Sequence, residues 1–251
     1  MKDAKVLAYC NLFGVLGAIP KLLEIDPEAH ALVRRSKISI GFFVKNGPSA
    51  TLTFSKGTAV MTEGVKKCSI KMNFDDCAGF NALIDGNGKP KLSGGLWHAL
   101  FLAKKFTKLT DILSKYLQPT AQDLLNREFF ERSTTLLLHV IAGAITSVGN
   151  QDPIGRFSAS NIVDGTVKLG IVGGPSVGIV AENHHLSALY EEPKYSLSEM
   201  TFDSFDTARD LFDGKINAIA TVGMGKVRIG GMISQIDNVN RILDRVALYL
   251  A

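Results

Sequence analysis

The sequence predicts an α+β protein of two tandem units, each a mainly antiparallel five-stranded sheet covered by helices. Two observations predict it: the landmarks of the first half recur in the second, and each half places runs of alternating apolar and polar residues between helical segments. The period of the duplication exceeds the roughly 20–50 residues of solenoid repeats, so each copy has the size of a domain. The recurring landmarks are MNFDDCAGFNALIDG from Met72 with MTFDSFDTARDLFDG from Met200, GKPKLSGG from Gly88 with GKVRIGG from Gly225, the GPS turns at Gly47 and Gly174, and the Asp-Pro pairs at Asp26 and Asp152.

The duplication divides the 251 residues into a first unit at 1–117, a connecting helix at 118–132 and a second unit at 133–251. We expect the connecting helix to start after Pro119, with Thr120 as its cap. Each unit opens with an apolar helix, near residues 4–18 or 134–147. The first resembles a signal peptide in composition, but its counterpart lies in mid-chain, and both are shorter than the roughly 18 apolar residues of a membrane span. We therefore expect two buried helices.

Four strands follow the opening helix in each half, as period-two alternation and β-branched residues indicate. A helix then runs from an aspartate suited to the N-cap, Asp75 or Asp203, to an Asp-Gly pair. A short fifth strand and a long amphipathic helix, 96–117 or 235–250, close each unit. The first four strands are predicted to begin at Lys37, Ser49, Thr58 and Cys68 in the first unit, and at Thr166, Ser176, Leu186 and Lys194 in the second.

Composition predicts a soluble globular protein, because 46% of the residues are hydrophobic and 21% are charged. Three cysteines form no C-x-x-C pair, and their odd number argues against a disulfide framework, so a reducing, cytoplasmic compartment is expected. Residues 1–125 hold 17 Lys and Arg against 10 Asp and Glu, whereas residues 126–251 hold 11 against 14. This asymmetry indicates either a docking face for an anionic surface or simply a solvated exterior. No nucleic-acid partner is predicted, because no basic run exceeds two residues.

The second half resembles the sterol carrier protein family of lipid-binding domains. The resemblance lies in an aromatic-led helix from Phe202 to Asp213, the glycine Gly214, an apolar stretch, the segment GKVRIG from Gly225 and a final helix. The first half departs from this pattern, because it lacks the stretch KINAIATVGM and has Pro90 at a strand position. The resemblance implies a sheet and helices that enclose an apolar tunnel for a fatty acyl chain, a sterol or another lipid.

The resemblance also implies which side chains line the tunnel, namely apolar residues on the two helices that follow the fourth strand and on the stretch between them. For each of these residues, ordinary core packing is the alternative interpretation. The candidate ligand-binding residues are Phe80, Leu83, Leu96, Trp97, Leu100 and Phe101 in the first unit, and Phe205, Phe212, Ile219, Met224, Met232 and Ile233 in the second.

Trp97 and Phe101 fall on the opposite side of the helix 96–117 from its leucine stripe. Three lysines, Lys104, Lys108 and Lys115, share that side. Aromatic rings backed by cations are typical of transient contact with an anionic membrane surface. The alternative is that the two rings cover another part of the protein.

Nothing in the sequence predicts a catalytic or metal site. His184 and His185 have no further ligand at metal spacing, and the GxSxG string around Ser176 precedes a predicted strand where a nucleophile elbow requires a helix. The sequence therefore predicts non-enzymatic binding and carriage of a hydrophobic ligand, without a cofactor. One alternative is a pseudo-symmetric scaffold with filled cavities that recruits a partner protein. Another is an enzyme for acyl thioesters that uses Cys77. The oligomeric state is left open.

Overall fold

The computed structural model describes residues 2–216 and 218–250, without the side chains of Leu96, Ala218 and Ile219. The chain forms two compact units, Met1–Arg132 and Ser133–Ala251, and the division falls within a single helix, Arg127–Gln151. Each unit contains one five-stranded sheet and several helices. The predicted α+β fold class is therefore confirmed.

The two sheets share one strand order. It is β3-β2-β1-β4-β5 in the first unit and β8-β7-β6-β9-β10 in the second. All neighbouring strands are antiparallel except the central pairs β1/β4 and β6/β9, which are parallel. The repeat in the sequence is thus a repeat of topology. The strands are β1 Lys37–Val44, β2 Ser49–Ser55, β3 Thr58–Glu63, β4 Ile70–Phe74, β5 Lys91–Gly94, β6 Gly165–Ile171, β7 Ser176–Glu182, β8 His185–Leu189, β9 Ser198–Phe202 and β10 Val227–Gly231.

One predicted strand was misplaced. The strand expected from Lys194 begins at Ser198, because residues 190–197 are needed to carry the chain from the edge strand β8 across the sheet to β9. Pro193 lies on this crossing connection and packs so closely over the sheet that a Cβ atom added at Gly178 would be 2.9 Å from its Cγ. Alignment of the two halves gives the observed position of β9, because Met200 corresponds to Met72, the central residue of β4.

The helices begin and end near the predicted residues, with two differences. Asp76 and Ser204 accept the capping hydrogen bonds, one residue later than the predicted Asp75 and Asp203. Residues 118–126 form turns and one short 3-10 segment, whose first residue Asp123 donates its backbone N–H to the hydroxyl of Thr120, so the helix predicted to start after Pro119 begins only at Arg127. The helical segments are Ala4–Tyr9, Cys10–Val15 (π), Leu16–Ala18 (3-10), Ile19–Ile25, Pro27–Val33, Cys77–Ile84, Leu96–His98 (3-10), Ala99–Phe101, Leu102–Phe106 (π), Thr107–Leu117, Asp123–Leu125 (3-10), Arg127–Gln151, Pro153–Ala159, Phe205–Phe212, Ala218–Gly223 and Ile233–Leu250.

The opening helical run, Ala4–Ile25, is long and apolar enough to cross a membrane, with a mean hydropathy of 1.6. In the structure 67% of that window is buried inside the protein, as in the core helix of a soluble domain. Length and hydropathy alone are weak evidence for a span, since core helices and signal sequences meet the same criteria. The burial agrees with the predicted buried helix.

Each Asp-Pro pair ties the start of a short helix to the last helix of its unit. In the second unit Asp152 accepts hydrogen bonds from the backbone of Gly155 and from the side chains of Arg245 and Tyr249. In the first unit Asp26 caps Ala29, and its second oxygen accepts a hydrogen bond of 2.8 Å from the hydroxyl of Tyr116. Both aspartates are buried, so a partner for each carboxylate oxygen is required for stability.

Replacing Asp152 with Asn is expected to lower the free energy of unfolding by about 2–4 kcal/mol at neutral pH, because Arg245 loses its partner. Burial alone would raise the pKa of Asp152, but hydrogen bonds from Arg245, Gly155 and Tyr249 outweigh it and lower the pKa to about 2. The carboxyl group of an aspartate in an unfolded chain has a pKa of about 3.9. The Asp152 carboxylate therefore stabilises the fold above about pH 4, and this stabilisation is lost as pH falls towards about 2. Urea unfolding at several pH values measures this loss of stability.

The matched control is Asp244→Asn, on the exposed side of the same helix Ile233–Leu250. It removes the same charge and is expected to change stability by less than about 0.5 kcal/mol. Equal effects of the two substitutions would contradict the role assigned to Asp152.

Candidate functional site

The residues predicted to line a cavity in the first unit separate into two groups. Phe80 is fully buried, and its ring meets Phe74 edge to face at 5.1 Å, so it is part of the core. Leu83 is half-buried. Trp97 and Leu100 are instead on the surface, 84% and 61% exposed. The side chain of the sixth candidate, Leu96, lies outside the described residues.

Phe101 is the candidate whose predicted position was wrong. It was expected on the side opposite the leucine stripe, but it is half-buried with its ring centroid 5.6 Å from that of Phe54 in β2. The reason is the π segment Leu102–Phe106. The i→i+5 hydrogen bonding of a π turn rotates the residues before it relative to those after it, and this turns Phe101 towards Phe54, on the side where Phe106 packs against Phe42. The sequence carried no signal for this extra residue in the turn.

The candidates of the second unit divide in the same way. Phe205 packs on the GPS turn so closely that a Cβ atom at Gly174 would lie 2.8 Å from its ring. Phe212 meets the buried Phe202 edge to face at 5.4 Å. Both rings therefore contribute to packing around the helix Phe205–Phe212. The remaining described candidates are Met232, which is half-buried, and Met224 and Ile233, which are 60% and 74% exposed; the side chain of Ile219 lies outside the described residues.

Exposed apolar side chains occur at the same place in both units, where the fifth strand leads into the last helix. Sequence reasoning missed two of them, Leu92 and Ile229, which are 38% and 37% exposed. They occupy corresponding positions of the repeat and pair with Met72 and Met200, whose side chains are on the buried face of each sheet. We call these side chains the apolar rim. It comprises Leu92, Trp97 and Leu100 in the first unit, and Ile229 and Ile233 in the second; the exposed Met224 lies before the fifth strand.

Two of the three lysines predicted to accompany Trp97 are engaged within the first unit. The ammonium of Lys108 lies 3.0 Å from a carboxylate oxygen of Glu28. That of Lys115 lies 3.5 Å from Asp123 and 5.6 Å from the ring centroid of Phe129. Both pairs are largely solvent-exposed and therefore weak. Lys104 is exposed near the start of the helix, one turn after Leu100.

The structure describes the surroundings of the reactive groups that the sequence contains. In residues 2–216 and 218–250 no group of three His, Cys, Asp or Glu side chains could hold a metal ion. Ser176 is the first residue of β7, so the GxSxG string belongs to a turn and strand. Burial raises the pKa of the Cys77 thiol, and the nearby Lys5 only partly offsets this. A raised thiol pKa reduces the fraction of reactive thiolate at neutral pH.

Several solved structures of sterol carrier protein domains are similar to this chain. Domain 2 of a sterol carrier protein of Helicoverpa armigera is 16% identical with a TM-score of 0.36, and the match covers 44% of this chain and 88% of that domain. The ubiquinone synthesis protein UbiJ-SCP2 is 16% identical with a TM-score of 0.34, and the match covers 43% of this chain and 96% of that protein. Sterol carrier protein 2 from Yarrowia lipolytica is 21% identical with a TM-score of 0.33, and the match covers 43% of this chain and 91% of that protein.

Each match spans about the length of one unit and nearly all of the solved domain. No protein-family model and no curated protein matches the chain. The resemblance predicted from the sequence is confirmed by these structures. At identities of 21% or less and TM-scores below 0.5 they report a likeness only, and they assign no ligand and no activity to this chain.

The packing of Phe205 on the GPS turn leads to a prediction. Gly174→Ala is expected to lower the free energy of unfolding by about 1–3 kcal/mol, because the added methyl group overlaps the ring of Phe205. In the double variant with Phe205→Ala the overlap disappears, so the two changes should be strongly non-additive. Chemical denaturation of the four proteins in this cycle measures the coupling, and additive effects would show that the ring does not rest on Gly174.

Proposed function

We propose that the chain binds and carries a hydrophobic ligand, a fatty acyl chain or a sterol-like lipid, without converting it. One observation carries this proposal: both units expose apolar side chains at the junction of the fifth strand and the last helix. Contiguous exposed apolar surface marks ligand, membrane or protein contacts. Leu92 and Ile229 occupy equivalent positions of two units that differ in most other residues, and this recurrence favours a shared role.

The energetics suit a flexible apolar ligand. Each methylene group transferred from water to an apolar surface contributes about 0.8 kcal/mol, so a chain of roughly a dozen methylenes offsets the entropy cost of association. Such binding requires no catalytic group and no cofactor. The raised pKa of Cys77 supports carriage over thioester chemistry, and three cysteines in the thiol form, Cys10, Cys68 and Cys77, fit a cytoplasmic location.

Ligand exchange would involve transient contact between the first unit and an anionic membrane. Trp97 supports this part of the proposal, because it is 84% exposed beside the exposed Leu100 and precedes Lys104 by two helical turns. An indole ring and a nearby cation are typical of side chains at the headgroup layer. The engaged Lys108 and Lys115 add less than the sequence indicated.

A second candidate function is a scaffold that recruits a partner protein. The observation that favours it is the packing of Phe80, Phe205 and Phe212, three of the candidates for a cavity lining, against other protein atoms. A scaffold requires that such contacts fill the space beneath each sheet, so that only the surface is left for binding. The two candidates are separated by a direct test of lipid binding.

The binding test uses a fluorescent long-chain fatty acid titrated into the full-length protein, followed by native mass spectrometry of the complex. The paired variants Leu100→Ser and Ile233→Ser remove apolar area from the rim of each unit, and we expect them together to weaken binding about tenfold or more. Trp97 emission should change on adding the ligand if the first unit binds, because Trp97 is the chain's single tryptophan.

The matched control is Phe157→Ser, since Phe157 is 70% exposed on the helix Pro153–Ala159, away from the rim. It should leave affinity unchanged within about twofold. Absence of fatty-acid binding by the unmodified protein, together with no co-purified lipid in the native spectrum, would refute carriage and leave the scaffold.

A further inference from the structure

The sheet of each unit has an outer face, opposite the face that packs on its helices. In the first unit side chains alternate along β1, so Ile38, Ile40 and Phe42 are buried while Lys37 and Phe43 point to the outer face. Residues that pair across neighbouring strands point to the same face of the sheet. Lys71 and Lys91 therefore also point to the outer face, because Gly41 pairs with Lys71 and Asn73 pairs with Lys91. The outer face therefore runs over all five strands.

This outer face is strongly basic. The strands and their extensions contribute four lysines, and the loop that crosses the face between β3 and β4 adds two more. The loop is fixed there by Thr51, whose hydroxyl donates to the carbonyl of Gly64 and accepts from the backbone N–H of Lys66. The six lysines are Lys37, Lys45, Lys66, Lys67, Lys71 and Lys91. Lys91 forms an ion pair with Asp75. In the described part of the chain no carboxylate lies within ion-pair distance of the other five lysines.

The second unit has the same topology but a mixed charge on this face, where Arg228 keeps the charge of Lys91. At positions that correspond in the repeat, Lys37 is replaced by Asp164 and Lys71 by Glu199. The crossing loop there contributes Glu191 and Glu192. Glu192 and Lys168, a cation of that face, pair with each other at 2.5 Å. Shared topology therefore does not explain the basic face of the first unit.

We propose that the outer face of the first sheet is a docking surface for an acidic protein, one that presents clustered Asp and Glu side chains. Charge complementarity accelerates and orients such encounters. The hydroxyl of Thr53, exposed between the lysines, can satisfy a further polar group of the partner. Phe43, 46% exposed near the centre of the face, provides an apolar anchor.

The composition of the face favours protein over the other polyanions. Lysine clusters attract anionic lipid, but apolar side chains that enter the lipid strengthen membrane binding, and of the described large apolar residues only Phe43 and Val60 are exposed on this face. Single-stranded nucleic acid is held by several stacked aromatic rings, and this face has one. The inference is independent of the proposed lipid site, which lies at the rim of the opposite face.

The experiment measures binding of the full chain to poly-L-glutamate by isothermal titration calorimetry at about 50 mM and about 300 mM salt, since screening weakens contacts between exposed charges. We expect saturable binding at low salt that weakens at high salt. The double variant Lys45→Glu with Lys71→Glu should bind about tenfold more weakly or worse. The charge-matched control Lys5→Glu with Lys108→Glu, at exposed positions on helices rather than on the sheet, should bind within about threefold of wild type.

Parallel titrations with phosphatidylglycerol vesicles, a single-stranded oligothymidylate and the protein alone at increasing concentration distinguish the partners. Stronger lysine-dependent binding to vesicles or to the oligonucleotide would overturn the assignment to an acidic protein, as would lysine-dependent self-association. Equal loss of binding in the control pair would show that net charge, not this face, drives the interaction. Fluorescent fatty-acid binding should be unchanged in the Lys45 and Lys71 variant, so failure of one proposal does not imply failure of the other.

Discussion

The parallel pairing of the first and fourth strands is the constraint on which each unit depends. Two parallel neighbours cannot be joined by a tight turn, so the chain must leave the edge strand and cross the sheet before it returns. In both units this crossing runs over the outer face, where Gly41 and Gly178 leave room for Cys68 and Pro193. The helices are then confined to the inner face, and the fifth strand is left at an edge. The exposed rim and the open outer face both follow from this arrangement.

The buried aspartates at the Asp-Pro pairs perform a second structural task. Each satisfies the free backbone groups at the start of a short helix and accepts a tyrosine hydroxyl from a helix far away in the sequence. The two units differ in the cation that joins the hydrogen-bonded cluster of aspartate and tyrosine. Asp152 is bound by Arg245, whereas in the first unit Tyr116 interacts with Arg132. The same carboxylate geometry has therefore persisted while its neighbours diverged.

Much of this architecture could be predicted from the sequence because it depends on local patterns. Alternation located β1, β2 and β3 to the residue, and the Asp-Gly pairs marked the ends of two helices. The candidate site could not be predicted in the same way. Whether Phe80 fills a core or lines a cavity depends on how closely other side chains approach it, which a pattern of apolar residues does not encode. Phe101 was misassigned because one π turn changes the direction of every preceding side chain, and no residue type announces such a turn.

The helix Arg127–Gln151 has a practical consequence for any attempt to separate the two units. The first unit predicted from the duplication ends at residue 117, yet Phe129 stacks on Tyr116 at 4.5 Å and Arg132 contacts the same tyrosine. A fragment ending at residue 117 would strip that tyrosine of its aromatic and cationic neighbours while keeping its bond to Asp26. Dissection of the chain therefore has to cut within a continuous helix, and the N-terminal fragment must retain the first turns of that helix to remain intact.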